Sequence, residues 1–133
     1  MKMYQVDAFT DRVFSGNPAA VCVTDVPLSD EIMTKLAVEN NLSETAFAVG
    51  SDGKYSLRWF TPGGEIDLCG HATLATSFVI ANYVDPGVRH IRYETASGIL
   101  EADTDGNFVT LDFPRIETRK IDVTEDMLNA LGL

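Results

Sequence analysis

The sequence predicts an α+β domain in which a strongly curved mixed sheet, closing toward a barrel, wraps one central apolar helix. Three observations carry that expectation. Short apolar or alternating segments recur along the chain, separated by Gly, Pro, Asn and Asp. The stretch from Ala72 to Val84 has helical spacing but is apolar nearly all round, so it needs cover on most sides. The chain has 133 residues, 45% of them apolar, which suits one domain with one core.

Each element has a local reason. Lys2 to Phe9 alternates Tyr4, Val6 and Ala8 with Gln5 and Asp7, the period of a strand. Ser15 to Pro18 supplies turn residues, and Ala19 to Val23 is a second strand of small apolar groups. Ser29 is an N-cap for a helix over Asp30–Asn40, with Asp30 and Glu31 facing the positive helix end and Ile32, Met33, Leu36 and Ala37 at helical spacing. Glu44 to Val49 and Tyr55 to Phe60 form a hairpin about Ser51-Asp52-Gly53. Pro62, Gly63 and Gly64 break that strand, and Thr61 to Leu68 reads as a loop. The apolar helix over Ala72–Val84 stops at Asp85-Pro86-Gly87. Three strands in meander order follow, HIRYET from His90, GILEAD from Gly98 and FVTLDF from Phe108. Thr124 then caps a last helix over Glu125–Leu131. The count is roughly seven strands, at ordinary strand lengths.

Twenty acidic against ten basic residues leave a formal net charge of −10. That balance argues against nucleic acid and against anionic membrane surfaces as partners. The start, MKMYQVDAF, turns polar too soon for a secretory signal, and the longest apolar stretch is too short to span a bilayer. Two cysteines, Cys22 and Cys69, make no disulfide framework, so a reducing cytoplasm is the expected compartment.

The chemistry concentrates where Cys69-Gly70-His71 meets the start of the apolar helix. The first N–H groups of a helix lack partners within it and carry partial positive charge, which suits a carboxylate or phosphate. Gly70, without a side chain, allows close approach to that backbone. Cys69 is either a small buried hydrophobe or a thiolate whose pKa the helix start lowers. His71 is either a packed histidine or a titratable site group. Cys69 and His71 with Glu65 and Asp67 nearby hint at zinc, but two Cys and two His, with His90 in a separate strand, fall short of a recognised four-ligand spacing. Glu44 is either a solvated strand end or a part-buried carboxylate suited to general acid/base work. The hairpin places the start of the Glu44 strand beside the end of the Phe60 strand, so Glu44 and His71 are expected on one rim.

The segments YQVDAFTDRVFSGNP, SGNPAAV, NLSETAF and RWFTPGGEIDLCGHATLA, in that order, resemble the N-terminal half of PhzF-like isomerases, the phenazine-biosynthesis F group of the diaminopimelate-epimerase fold. The resemblance implies two similar domains, each a strand barrel around a helix, with the site in the cleft between them. It implies proton transfer between carbons of a small carboxylated metabolite, with neither metal nor organic cofactor. The family's catalytic glutamate falls on Glu44, and its substrate-holding Gly-His pair on Gly70 and His71. Cys69 matches a common residue of the motif and is not assigned as a nucleophile. A thiol-based racemase would need a second cysteine in the cleft, and Cys22 reads as core. Family chains are about twice as long, so residues 1–133 are expected to be the first domain without its C-terminal partner. That leaves a truncated product, a gene fragment, or a half that pairs with another chain. The competing expectation is a catalytically incomplete half that self-associates, most simply as a homodimer.

Overall fold

Alternation along the strands decides which side of the sheet each side chain serves. In the computed structural model, which describes residues 1–133, one curved eight-stranded sheet holds a different core on each face. The strands are β1 (Lys2–Ala8), β2 (Asn17–Thr24), β3 (Glu44–Ser51), β4 (Lys54–Thr61), β5 (Gly64–Ile66), β6 (His90–Thr95), β7 (Gly98–Thr104) and β8 (Val109–Asp112). The helices are α1 (Asp30–Asn40), α2 (Gly70–Val79) and α3 (Glu125–Leu131). The sheet order is β1-β2-β3-β4-β6-β7-β8. It is mixed, because β2 runs parallel to β3 and β4 parallel to β6. The fold is thus α+β, a curled half-barrel around α2.

Ala19 and Val21 of β2, Ala46 and Ala48 of β3, and Tyr55, Leu57 and Trp59 of β4 face inward. They pack with Ile91, Tyr93, Leu100 and Ala102 around Ala72, Ala75, Val79 and Ile80 of the central helix. Small residues on β2 and β3 let α2 approach the sheet closely, while the large ones on β4 fill the wider side. The intervening residues Cys22, Phe47 and Phe60 face outward and form a second core with Met33 and Ala37 of α1. Cys22 is therefore a core residue, as the sequence implies. Arg58 clamps this outer face, pairing with Glu65 of β5 and Asp30 of α1 (2.6 and 2.8 Å).

The hydroxyl side chains of α2 are satisfied by carbonyls one turn back. Thr73, Thr76 and Ser77 each donate to the carbonyl four residues back, and Ser77 also meets the Tyr93 hydroxyl at 2.8 Å. That is how Thr and Ser sit in a helix buried on most sides.

Three details depart from the sequence reading. Thr61–Leu68 is not a plain loop: Pro62 and Gly63 form a two-residue turn, and Gly64–Ile66 returns along β4 as an eighth strand, with Thr61 opposite Gly64. The central helix begins at Gly70 rather than Ala72. Its last turn, Ile80–Val84, winds as a π-helix, where the Asn82 amide donates to both Phe78 O and Gly106 O. A side chain inserted into the helical ladder in this way loosens it locally. No helix is long and apolar enough to cross a membrane.

Candidate active site at the start of the central helix

Glu44 is the first residue of β3 and shares a face with Ala46 and Ala48, so its side chain turns toward α2. Ala19 of β2 lies opposite Glu44, and Phe60 of β4 opposite Thr45. The starts of β2 and β3 and the end of β4 therefore share one rim. The chain leaves that rim through β5 and comes back to begin α2 beside it. Glu44 and His71 meet there, with Glu44 Oε2 3.1 Å from His71 Nε2. Both side chains are largely buried, 16% and 10% exposed. The approach is close but not aligned as a hydrogen bond, and Glu44 Oε2 is buried with no donor. An unpaired buried polar atom costs roughly 1–3 kcal/mol, so such atoms are uncommon away from functional sites.

The His71 ring bridges three side chains. Nε2 faces Glu44 and lies 3.4 Å from Ser43 Oγ. Nδ1 lies 3.4 Å from Cys69 Sγ. Ser43 in turn donates to Pro18 O at 3.5 Å, tying the ring to the start of β2.

Cys69 occupies the N-cap position with an extended backbone, and its side chain does not cap the helix. Its carbonyl accepts from both the N–H and the hydroxyl of Thr73 (3.3 and 2.6 Å). Burial pushes the Cys69 thiol up to about 11; the Ala72 N–H offsets part of this, the Glu44 charge adds to it, and the His71 N–H offsets a little more. The thiol is therefore protonated near neutral pH, and the lowered-pKa alternative does not apply. Burial likewise pushes Cys22 up to about 11. Cys22 lies on the outer face under α1, so the two cysteines do not share a cleft.

The N–H groups of Gly70 and His71 have no oxygen acceptor within the chain. A methyl group at Gly70 would meet the Phe113 ring at 3.7 Å and nothing closer. The domain's own packing therefore leaves room there for a side chain.

Glu44, Cys69 and His71 bring three potential metal-ligand atoms within 4.8 Å of one another. The two ring nitrogens address different partners, so one ion could be held by all three only if a side chain turned. Glu65, considered with them from the sequence, points to the outer face and pairs with Arg58. Asp67 is exposed, and His90 is paired with Asp103 at 2.8 Å on β7.

A surface depression of about 460 Å³ lies elsewhere, lined by Gln5, Asp7, Val13, Phe14 and Pro18 among others. It contains none of Glu44, Cys69 or His71, and no titratable pair converges on it. Sequence reasoning missed Ser43 and the contact between Cys69 and His71. A serine before a strand carries little signal, and Cys-x-His spacing at a helix start becomes informative only when Nδ1 is seen to face the sulfur.

Comparison with known proteins bears on the family and the fold. The family described as phenazine biosynthesis-like protein, PhzC-PhzF, matches residues 6–132. A Pseudomonas aeruginosa protein named an uncharacterized isomerase is 49% identical over 133 residues, covering all of this chain and 51% of its own length. A crystal structure of a PhzF-family phenazine biosynthesis protein from Enterococcus faecalis superposes with a TM-score of 0.88 at 48% identity, covering 98% of this chain and 50% of that one. A hydroxyproline epimerase from Agrobacterium vitis shares the fold alone, with a TM-score of 0.57 at 16% identity over 72% of this chain and 38% of its own. The chain spans about half the length of the curated relatives it matches. By the extent of the family match and the identity to these relatives, the chain belongs to the PhzC-PhzF family of phenazine biosynthesis-like proteins.

Proposed function

We propose that this chain forms one half of an isomerase site that moves a proton between carbons of a small carboxylated metabolite, with Glu44 carrying the proton. The observation behind the reading is the Glu44 carboxylate itself, buried with an oxygen that has no donor, at the mouth of a helix where the Gly70 and His71 N–H groups have no oxygen acceptor. The isomerase name of its P. aeruginosa relative supports the reaction class. The substrate's carboxylate would sit against the N–H groups of Gly70 and His71, where the helix start favours negative charge. In a carboxylate with a double bond one carbon further along, Glu44 takes the proton from the carbon next to the carboxylate, the C–H electron pair moves into the enolate, and the double bond shifts as the second carbon is protonated. The same N–H groups stabilise the enolate-like charge as it forms. Glu44 then returns the proton to a second carbon. No electron is gained or lost, so the step is redox-neutral, and the Glu44 carboxyl exchanges its proton with solvent in a fraction of turnovers before returning it. His71 orients Glu44 and the substrate. The other wall of the cleft would come from the second half that full-length relatives carry. Deuterium exchange from D2O into the substrate, in a full-length protein carrying this segment, tests the reading. Labelling that persists in Glu44→Gln would overturn it.

A second reading is favoured by a separate observation. The loop from β1 to β2, at the same end of the sheet as Glu44, exposes Phe9, Val13 and a fully exposed Phe14. Phe9 and Phe14 both adopt φ of 63°, which a bulky residue holds only when its surroundings enforce it. Such a surface fits a half that self-associates. A strictly monomeric chain in sedimentation at high concentration would refute this second reading.

A further inference from the structure

We infer that Cys69 is a positioning residue that fixes the tautomer of His71, holding the ring proton on Nε2, toward Glu44. This deepens the proposed function, since the purpose of that proton rests on Glu44 being the proton-carrying carboxylate.

The inference follows from matching donors to acceptors around one ring. Nε2 faces a carboxylate oxygen at 3.1 Å and a serine hydroxyl at 3.4 Å. A bare nitrogen lone pair would be repelled by the carboxylate, so the proton belongs on Nε2. In a neutral imidazole Nδ1 is then an acceptor. Its neighbour is Cys69 Sγ at 3.4 Å, in a residue only 8% exposed. The Cys69 side chain makes no cap hydrogen bond to the helix start, and the His71 ring is its hydrogen-bond partner. Its S–H is therefore free to point at Nδ1. The resulting chain runs from S–H to Nδ1 and leaves Nε2–H facing the Glu44 rim, where the 3.1 Å approach to Oε2 is not aligned as a hydrogen bond. Reversing the ring proton would turn a bare Nε2 lone pair toward the Glu44 carboxylate and leave the sulfur only its weak acceptor role toward Nδ1. Sulfur is a weak donor, so it biases the tautomer without drawing the proton away. An ordinary buried cysteine would need no such contact, and a nucleophile would need a thiolate.

The test is long-range ¹H–¹⁵N correlation of the imidazole nitrogens in the ¹⁵N-labelled chain, at a pH where the ring is neutral. Only two histidines are present, so His90→Gln assigns the other ring. The expected result is a pyridine-like Nδ1 and a protonated Nε2 on His71. Cys69→Ala should move the tautomer ratio by roughly three- to tenfold toward protonated Nδ1, the worth of one neutral hydrogen bond. Cys69→Ser should restore the wild-type ratio. Folding of both variants is checked by their amide spectra. A protonated Nδ1 in the wild-type chain overturns the inference whatever the variants do, as does an unchanged ratio in a folded Cys69→Ala. The measurement needs no substrate. Turnover by Glu44→Gln would therefore defeat the proposed function without touching this result, and a wrong tautomer would defeat this inference alone.

Discussion

Glu44→Gln should leave the domain as stable as wild type or more stable, although it removes a buried charge facing a histidine. The reason lies in the mouth's geometry. Glu44 Oε2 is buried without a donor, and its 3.1 Å approach to His71 Nε2 is not aligned as a hydrogen bond. An unsatisfied buried oxygen costs roughly 1–3 kcal/mol. Gln keeps the shape, removes the charge and brings an amide that can bond to the ring, so recovery of about 1 kcal/mol is expected. Unfolding entropy of about 2.1 cal/mol/K per residue makes each kcal/mol worth about 3–4 °C for a chain of this size. Calorimetry at pH 7 should therefore show a Tm equal to wild type or up to about 4 °C higher. If the carboxylate instead held His71 in a structural ion pair, breaking it would cost about 3 kcal/mol or more and lower Tm by about 10 °C. A fall of that size refutes the argument that Glu44 is held in reserve for a ligand.

Other outcomes follow from the same geometry. Gly70→Ala should fold normally, with stability unchanged or raised by up to about 1 kcal/mol, because the new methyl meets only the Phe113 ring at 3.7 Å; it should abolish carboxylate-induced shifts of the Gly70-region amides in NMR titrations, and retained shifts would show that nothing approaches there. Cys22 and Cys69, both raised to about 11 by burial, should react with a disulfide reagent at pH 8 about a hundredfold more slowly than a free thiol, with reactivity rising as the pH nears 11; one thiol reacting at the free rate would contradict this. Gly16→Ala should lose about 2 kcal/mol or more, near 7 °C in Tm, since Gly16 has φ of 78° and a methyl would lie 2.3 Å from Ala8 O; an unchanged melt would show that the β1–β2 loop adapts.

What could be read from the sequence divides by the range of the forces involved. Helix α1 follows from local signals, and its Ser29 cap accepts from Ile32 N at 3.4 Å as a cap should. The same holds for Thr124 and α3. The β3–β4 hairpin follows from alternation and its turn. β5 escaped notice because three residues beginning with glycine carry no period, and only pairing with the edge of β4 makes them a strand. The parallel pairings of β2 with β3 and β4 with β6 are long-range contacts that no local pattern encodes. The π-helical turn depends on Asn82 reaching Gly106, twenty-four residues away. At the site, the shared rim of Glu44 and His71 could be derived from hairpin geometry. The orientation of the ring between Cys69 and Ser43 could not, because it depends on three segments converging within hydrogen-bond distance.

The most direct test of Glu44 as the proton carrier is deuterium wash-in from D2O, followed by mass spectrometry over a panel of small carboxylates. The protein is a full-length chain carrying residues 1–133, compared as wild type and Glu44→Gln. Wild type should incorporate deuterium at carbon in at least one of these carboxylates. Glu44→Gln should lose that labelling by about 10²–10⁴-fold, the usual worth of a general acid/base, while the Gly70 and His71 amides still shift on binding. Undiminished labelling in Glu44→Gln would contradict the account.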